Sequence, residues 1–273
     1  MSSSWLLLVA FLILTWATFG LLWNDEDDQH ILVDTRSPIV GLSLGEEIWP
    51  TIGYGNGLGP VLVLGLVTNR AVCYMCPLNT SLTVIHPDSS GDPRQWVMHT
   101  SIVPAPNNQF WFSAIVAHDD WIYVYGHMDT VPVGMYSPVI LRRHRFARLV
   151  NLDWTHGQIW TGRWSWDTST TGHVPNNVFL PLNDIYMWEN TIYWSSDRNE
   201  WLTISNHDLA SYQVWSAPQL WGPWQRRGAP MYVIDPLDPS TPNRLCYAMK
   251  YHIELDGVFT FVCNVWDVNA EPQ

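Results

Sequence analysis

The groups in this sequence best suited to proton transfer are carboxylates. Outside turn-like clusters they are Asp34, Glu46, Glu47, Asp129, Asp184, Glu189, Asp235 and Glu254. Two carboxyl groups, one protonated and one ionised, cleave a glycosidic bond when they flank it. Asp119 and Asp120 in His118-Asp119-Asp120, and Asp256 before Gly257, sit in turn-favouring sequence and are assigned to turn chemistry. Glu46-Glu47 precede Ile48-Trp49, where they either open a strand or stay as exposed loop carboxylates. Lys250 and His252 alternate on one strand and so share a face. From there they bind a sugar hydroxyl, tune a carboxylate, or serve an ordinary strand. Trp111 is either a stacking platform or a core residue.

The cysteines number four. Cys73-Tyr-Met-Cys76 has the spacing of a local disulfide, a redox pair or half a metal site. A structural zinc site needs four ligands, and no second such pair occurs, so no metal is expected. Cys246 and Cys263 lie on two β-type runs joined by Asp256-Gly257, which suits a cross-strand disulfide. No Ser-His-Asp arrangement has motif support. Gly53-Tyr-Gly-Asn-Gly-Leu-Gly59 is followed by neither a helix pattern nor a Lys, so it is no phosphate loop.

Composition limits the partners. The chain has 273 residues, 14 % of them charged, and a net charge of −12. Nucleic-acid binding needs a basic footprint. Its one basic cluster, Arg142, Arg143, His144, Arg145 and Arg148, is expected to be a solvated strand-and-loop surface. Nucleic acid is therefore excluded as a partner, and neutral polymers remain. The 18 Trp and 11 Tyr imply a sheet core with stacked aromatics, a surface for flat apolar faces such as sugar rings, or both. The expected state is a monomer.

The segment Trp5–Trp23 carries no charge and ends at Asn24-Asp25-Glu26-Asp27-Asp28. Its length lies between a signal peptide and a spanning helix. Residues 1–23 are read as a cleaved signal peptide or an uncleaved signal anchor, and residues 24–29 as an acidic linker. Either reading places residues 30–273 outside the cytosol, secreted or tethered through the N-terminal segment alone. Asn79-Thr80-Ser81 is an N-glycosylation sequon, which agrees with export.

Past residue 30 no helical periodicity of apolar residues stands out, and strand signals recur. They include 60–67, 110–117, 121–126, 139–142, 178–182, 184–188, 191–194, 212–215, 244–249 and 258–263. They fall into groups of three or four spaced by about 40 to 60 residues, the scale of a propeller blade. The expected fold is all-β, a five-bladed β-propeller over 30–273, with a β-sandwich as its rival.

Four motifs, in order, carry a resemblance. They are Phe112–Gly126 with its Tyr-Val-Tyr-Gly ending, Val139–Ala147 followed by Trp154–Trp164, Val214–Trp224 with Gly222-Pro223-Trp224, and Cys246–Leu255 followed by Phe259–Asn264. Over about residues 110 to 266 the chain resembles a family of five-bladed, glycosidase-like secreted propellers that includes endo-D-arabinanases. It is more distantly similar to arabinanase and β-xylosidase propellers. In Gly222-Pro223-Trp224, Gly permits the turn, Pro fixes φ, and Trp224 is expected to pack back between blades.

The resemblance implies catalytic carboxylates on innermost strands facing a central funnel. Asp34 stands where relatives carry an acid near the start of the first blade. With Glu47 and Asp184 it forms the candidate catalytic set, Asp34 as base. Trp111, Asn177, Lys250 and His252 are the candidate substrate contacts. No cofactor is expected, and a calcium ion in the funnel stays open. The family's Asp after Gly is absent from the first blade, and Asn176-Asn177 stands where a Glu is common. Two readings follow: a glycosidase acting on a neutral or arabinose-containing glycan, or a non-catalytic propeller that binds glycan or protein at the cell surface.

Overall fold

The computed structural model describes residues 46–55, 59–69, 73–90, 92, 95–103, 109–128, 139–166, 187, 190–206, 211–232, 244–252 and 258–265. The N-terminal segment, the acidic linker, Asp34, Asn177 and Asp184 lie outside the described residues, as do the strands expected at 178–182 and 184–188. For Glu47, Lys250, His252 and the four cysteines the backbone is described and the side chain is not.

Strands make up almost all of it. Strands β1 (Glu46–Tyr54), β2 (Val61–Asn69), β3 (Cys73–His86) and β4 (Val97–Val103) form the first sheet. The second contains β5 (Gln109–His118), β6 (Trp121–Met128), β7 (Val139–Arg145), β8 (Gln158–Trp160) and β9 (Trp164–Trp166). The third contains β10 (Ile192–Ser195), β11 (Glu200–Asn206), β12 (Ser211–Ala217) and β13 (Gln225–Tyr232), and a hairpin pairs β14 (Arg244–His252) with β15 (Val258–Val265). Within each sheet, strands adjacent in sequence pair antiparallel. A short helix, α1 (Phe146–Val150), follows β7 and is the one helix among the described residues. No helix among the described residues is long and apolar enough to cross a membrane.

The second sheet explains the chain's apolar runs. Trp111, Ile122, Val124, Ile140 and Ile159 pack against Ile52, Leu62, Leu64, Leu82 and Val84 of the first sheet. Ala114, Tyr123, Tyr125, Val139 and Leu141 point the other way, toward Met187, Ile192, Trp201, Trp215 and Trp224. Successive strand residues alternate between faces, so a strand covered on both sides must be apolar at nearly every position. A two-layer sandwich leaves one face of each sheet to solvent. A sheet buried on both faces does not fit that plan, and each such side chain contributes about 1.5–3 kcal/mol.

The Gly222-Pro223-Trp224 turn behaves as its residue types require. Gly222 adopts φ +95°, where a Cβ is costly. Trp224 is buried between the second and third sheets, and its Nε1 donates to the Leu220 carbonyl at 3.3 Å. Tyr125 Oη donates to the same carbonyl at 2.6 Å, tying this turn to the second sheet.

The basic cluster is corrected. Arg142 is 1 % and His144 0 % exposed, so both lie in the core. Alternation along β7 is the reason: Arg142 and His144 take one face, Arg143 and Arg145 the other.

Candidate functional site

Ring contacts fix how the sheets stand to one another. Tyr54, at the end of β1, meets Phe146 at the start of α1, with ring centroids 6.1 Å apart. Helix α1 follows Arg145, which pairs with Trp121 beside His118, the end of β5. His118 in turn lies 5.1 Å from Trp201, the ladder partner of Trp194 near the end of β10. Strands β1, β5 and β10 therefore run in one direction, each opening its own sheet, with their ends together. They also lie next to one another, β5 against both β1 and β10. The molecule thus has a leading end, where these strands begin, and a trailing end, where they finish.

The leading end holds polar side chains inside the protein. Thr68 near the end of β2, Gln109 at the start of β5, His127 near the end of β6 and Asn190 just before β10 are all buried. Ser205 near the end of β11 and Ser211 at the start of β12 extend the set. Trp215 Nε1 donates to Ser205 Oγ at 2.7 Å. Asn190 clips two sheets together: its backbone N–H donates to the Ser113 carbonyl at 2.6 Å, and its side-chain amide donates to the Ile204 carbonyl. Asn190 Oδ1 and Ser113 Oγ have no hydrogen-bond partner among the described residues. Both atoms are enclosed by protein, so they are unpaired polar groups of the packing between β5 and β10 and not a face that a sugar touches.

Glu46 and Glu47 open β1 at the same end, Glu46 opposite Asn69 and Glu47 opposite Thr68. They are the only described acidic positions there. Asp88, Asp92, Asp119, Asp120, Asp153, Asp197 and Glu200 fall in connections or strand starts at the trailing end. Asp119 and Asp120 have side chains 77 % and 86 % exposed and serve the β5–β6 turn as expected, with Asp119 at φ 52°. Asp153 is raised by burial, but hydrogen bonds from His156, Thr155 and Arg148 outweigh this and hold it at about 2. Glu200 follows the same pattern: burial raises it, and the Arg227 hydrogen bond brings it below its ordinary value. A general acid needs the opposite shift, so these trailing-end carboxylates are suited to structure.

Other expected site residues are distributed unevenly. Trp111 is 2 % exposed, packed 5.9 Å from Trp154, with its N–H backbone bonded to Thr80 Oγ1 at 2.9 Å. A ring so enclosed offers no face to a sugar, and its role is core packing. Lys250 and His252 stand two apart on β14, opposite Thr260 and Val258. Cys246 stands directly opposite Cys263, a placement within disulfide reach. Cys73 pairs with Asn69 and Pro77 with Thr68, so residues 74–76 bulge out of the ladder. The Asn79 sequon lies inside β3, paired with Val67, and its Ser81 is 1 % exposed. Glycan acceptors occupy surface loops, so this setting argues against a glycan on Asn79. No cluster of three potential metal ligands occurs among the described residues.

Sequence reasoning missed the buried amides and hydroxyls. Their one sequence signal is a polar residue inside an otherwise apolar run, as in Gln109-Phe-Trp-Phe-Ser113.

The trailing end carries a different chemistry. The Arg143 guanidinium lies between Trp121 and Trp164, 4.3 and 4.1 Å from their centroids, and Arg145 lies 4.1 Å from Trp121. Trp164 continues to Trp160 at 5.2 Å, and Trp160 to Trp221 at 5.3 Å. The rings close on one another across the second and third sheets.

What these features define is an all-β protein of successive antiparallel meanders with buried faces. Among solved structures, it is similar to a protein of Bacteroides ovatus ATCC 8483 provisionally classed as a hydrolase, with a TM-score of 0.51 and 12 % identity over 84 % of this chain. The chain spans 59 % of that structure's length. A family 117 glycoside hydrolase of Zobellia galactanivorans matches over 82 % of this chain and 68 % of its own, at 11 % identity, with a TM-score of 0.36 that is too low to carry an argument. No family model and no curated protein matches the chain.

Proposed function

We propose that this chain is an exported β-propeller of the glycoside-hydrolase-like kind, acting on a neutral or arabinose-containing glycan at the leading end. One observation carries the reading: β1, β5 and β10 lie side by side and parallel, each the first strand of its own meander. That is the relation of innermost strands around a propeller axis. The fold likeness to the Bacteroides ovatus protein supports it. Glu47 opens β1 at that end, and in this reading it works with Asp34 and Asp184 as the carboxyl set. Asn177, Lys250 and His252 contact the sugar, and a Cys246–Cys263 disulfide closes the last hairpin.

A second reading rests on the sequence. The Asp after Gly that the resemblance implies is absent from the first blade, and Asn176-Asn177 stands where a Glu is common. A protein that binds glycan without cleaving it needs no raised carboxyl. The experiment is a screen of purified residues 30–273 against arabinans, xylans and arabinogalactans. Released oligosaccharide, lost in Glu47→Gln or Asp34→Asn, supports the hydrolase. Binding without release, unchanged in both variants, supports the binder. Neither binding nor release on any of them overturns both.

A further inference from the structure

Strand β7 turns two basic side chains into the core, where a charge is expensive. Arg142 Nη2 donates to the Trp154 carbonyl at 2.8 Å and reaches the Thr155 carbonyl at 3.5 Å. Its guanidinium lies 5.2 Å from the Trp154 ring. The His144 ring lies 4.5 Å from the same indole, tilted 35°. Neither His144 nitrogen has a hydrogen-bond partner among the described residues. Gly157 closes the arrangement: a Cβ there would stand 2.5 Å from His144 Cε1 and 2.7 Å from Arg142 Nε. The segment 151–157 is therefore folded directly over both residues.

Among the described residues the carboxylate that acts on His144 is Asp153, and it is already bonded to Arg148 and His156. On β7 itself the inward neighbour is Arg142, and Arg143 and Arg145 take the other face. Helix α1 contributes Arg148, which bonds Asp153 at 2.9 Å. The covering segment contributes Asp153 and His156, bonded to each other at 2.8 Å, with His156 66 % exposed. From the first sheet come Leu62, Leu82, Val84 and similar apolar groups, with the Tyr54 phenol ring alongside. Burial holds the imidazole well below its ordinary value, Arg142 pushes the same way, and Asp153, the smallest of the three influences, pushes up.

We propose that His144 is an acid-sensitive latch: neutral, it lets residues 151–157 stay packed on the second sheet, and protonated, it drives that segment off while the strands stay paired. The sign follows from linkage. In the open state the imidazole regains an ordinary affinity, near pH 6.5, whereas the closed state excludes the proton. Closure is unaffected above about pH 6.5. Below it the closed-to-open ratio falls by up to about tenfold per pH unit. Asp153 stays ionised down to about 2, so the bonds internal to the segment persist while it moves.

Hydrogen exchange on the purified chain, at about pH 7.5 and about pH 5 with intrinsic rates corrected, tests this. Protection in 151–157 is expected to fall at least tenfold at the lower pH, with β5, β6 and β7 unchanged, and His144→Phe should abolish the fall. Unchanged wild-type protection, or the same fall in His144→Phe, overturns the latch. If His144→Phe fails to fold, NMR of the wild-type imidazole decides. A ring that titrates near pH 6.5 while 151–157 remains protected overturns it. A ring that takes up its proton only as that protection is lost supports it.

Discussion

The two ends of the molecule solve opposite problems with different residues. At the leading end, neutral amides and hydroxyls are buried between first strands, with two glutamates opening β1. At the trailing end, carboxylates are exposed or held by arginines, and Trp rings and guanidinium groups stack on one another. The trailing end holds its carboxylates with arginines and stacked rings, and His144 is the buried titratable group it leaves without a described partner. The leading end instead opens β1 with Glu46 and Glu47. The comparison teaches that abundant Trp need not mark the binding region. Here the stacked Trp mark the braced end.

Variants can break or sharpen that contrast. The largest effect is expected from Glu47→Gln, which should lower glycan turnover by about 10²–10⁴-fold while leaving the thermal midpoint within a few degrees. Equal losses of turnover and stability would make Glu47 structural. Gly126→Ala comes next, on stability alone. A Cβ there collides with the Phe110 carbonyl and touches Trp111, and backbone cannot yield cheaply, so denaturant unfolding should show a loss of about 3 kcal/mol or more.

Asn190→Ala should cost about 1–3 kcal/mol by removing the amide that satisfies the Ile204 carbonyl. Denaturant unfolding reads that loss as a lower midpoint at an unchanged slope. Asp153→Asn tests the other end. Its folded value of about 2 lies below the ordinary 3.8, so its contribution is fully present above about pH 4 and is lost as pH falls toward 2. The variant should be about 1–2 kcal/mol less stable at neutral pH, with the gap closing near pH 2. The smallest effect belongs to Arg145→Ala: its bond to Asp120 is exposed on both sides, and such pairs contribute about 1 kcal/mol at most.

Much of the strand plan was legible because burial on both faces writes itself into sequence. The β5–β6 hairpin reads directly from two apolar runs around Asp119-Asp120, and Trp224 from its Gly-Pro turn. Strands with weaker patterns were hidden. Strand β1 contains Pro50 and a register shift there, β3 carries Asn79-Thr80-Ser81, and β13 is an exposed outer strand from Gln225 to Ala229. Arg142 and His144 looked like surface because charge was weighed before face. Alternation along β7 held the information. The candidate site was less legible, because Gln109, Ser113 and Asn190 are ordinary polar residues until two separate first strands, β5 and β10, bring them to one end.

The most direct test of a functional leading end is calorimetric binding of a linear arabinan oligosaccharide to two variants. Glu47→Ala removes a carboxylate from a leading-end position, and Trp194→Ala removes the exposed ring, 40 % accessible, at the trailing end. The account predicts that Glu47→Ala weakens binding about 3–10-fold and that Trp194→Ala leaves it within about twofold. The reverse order, with the Trp194 variant losing affinity and the Glu47 variant keeping it, would contradict the account.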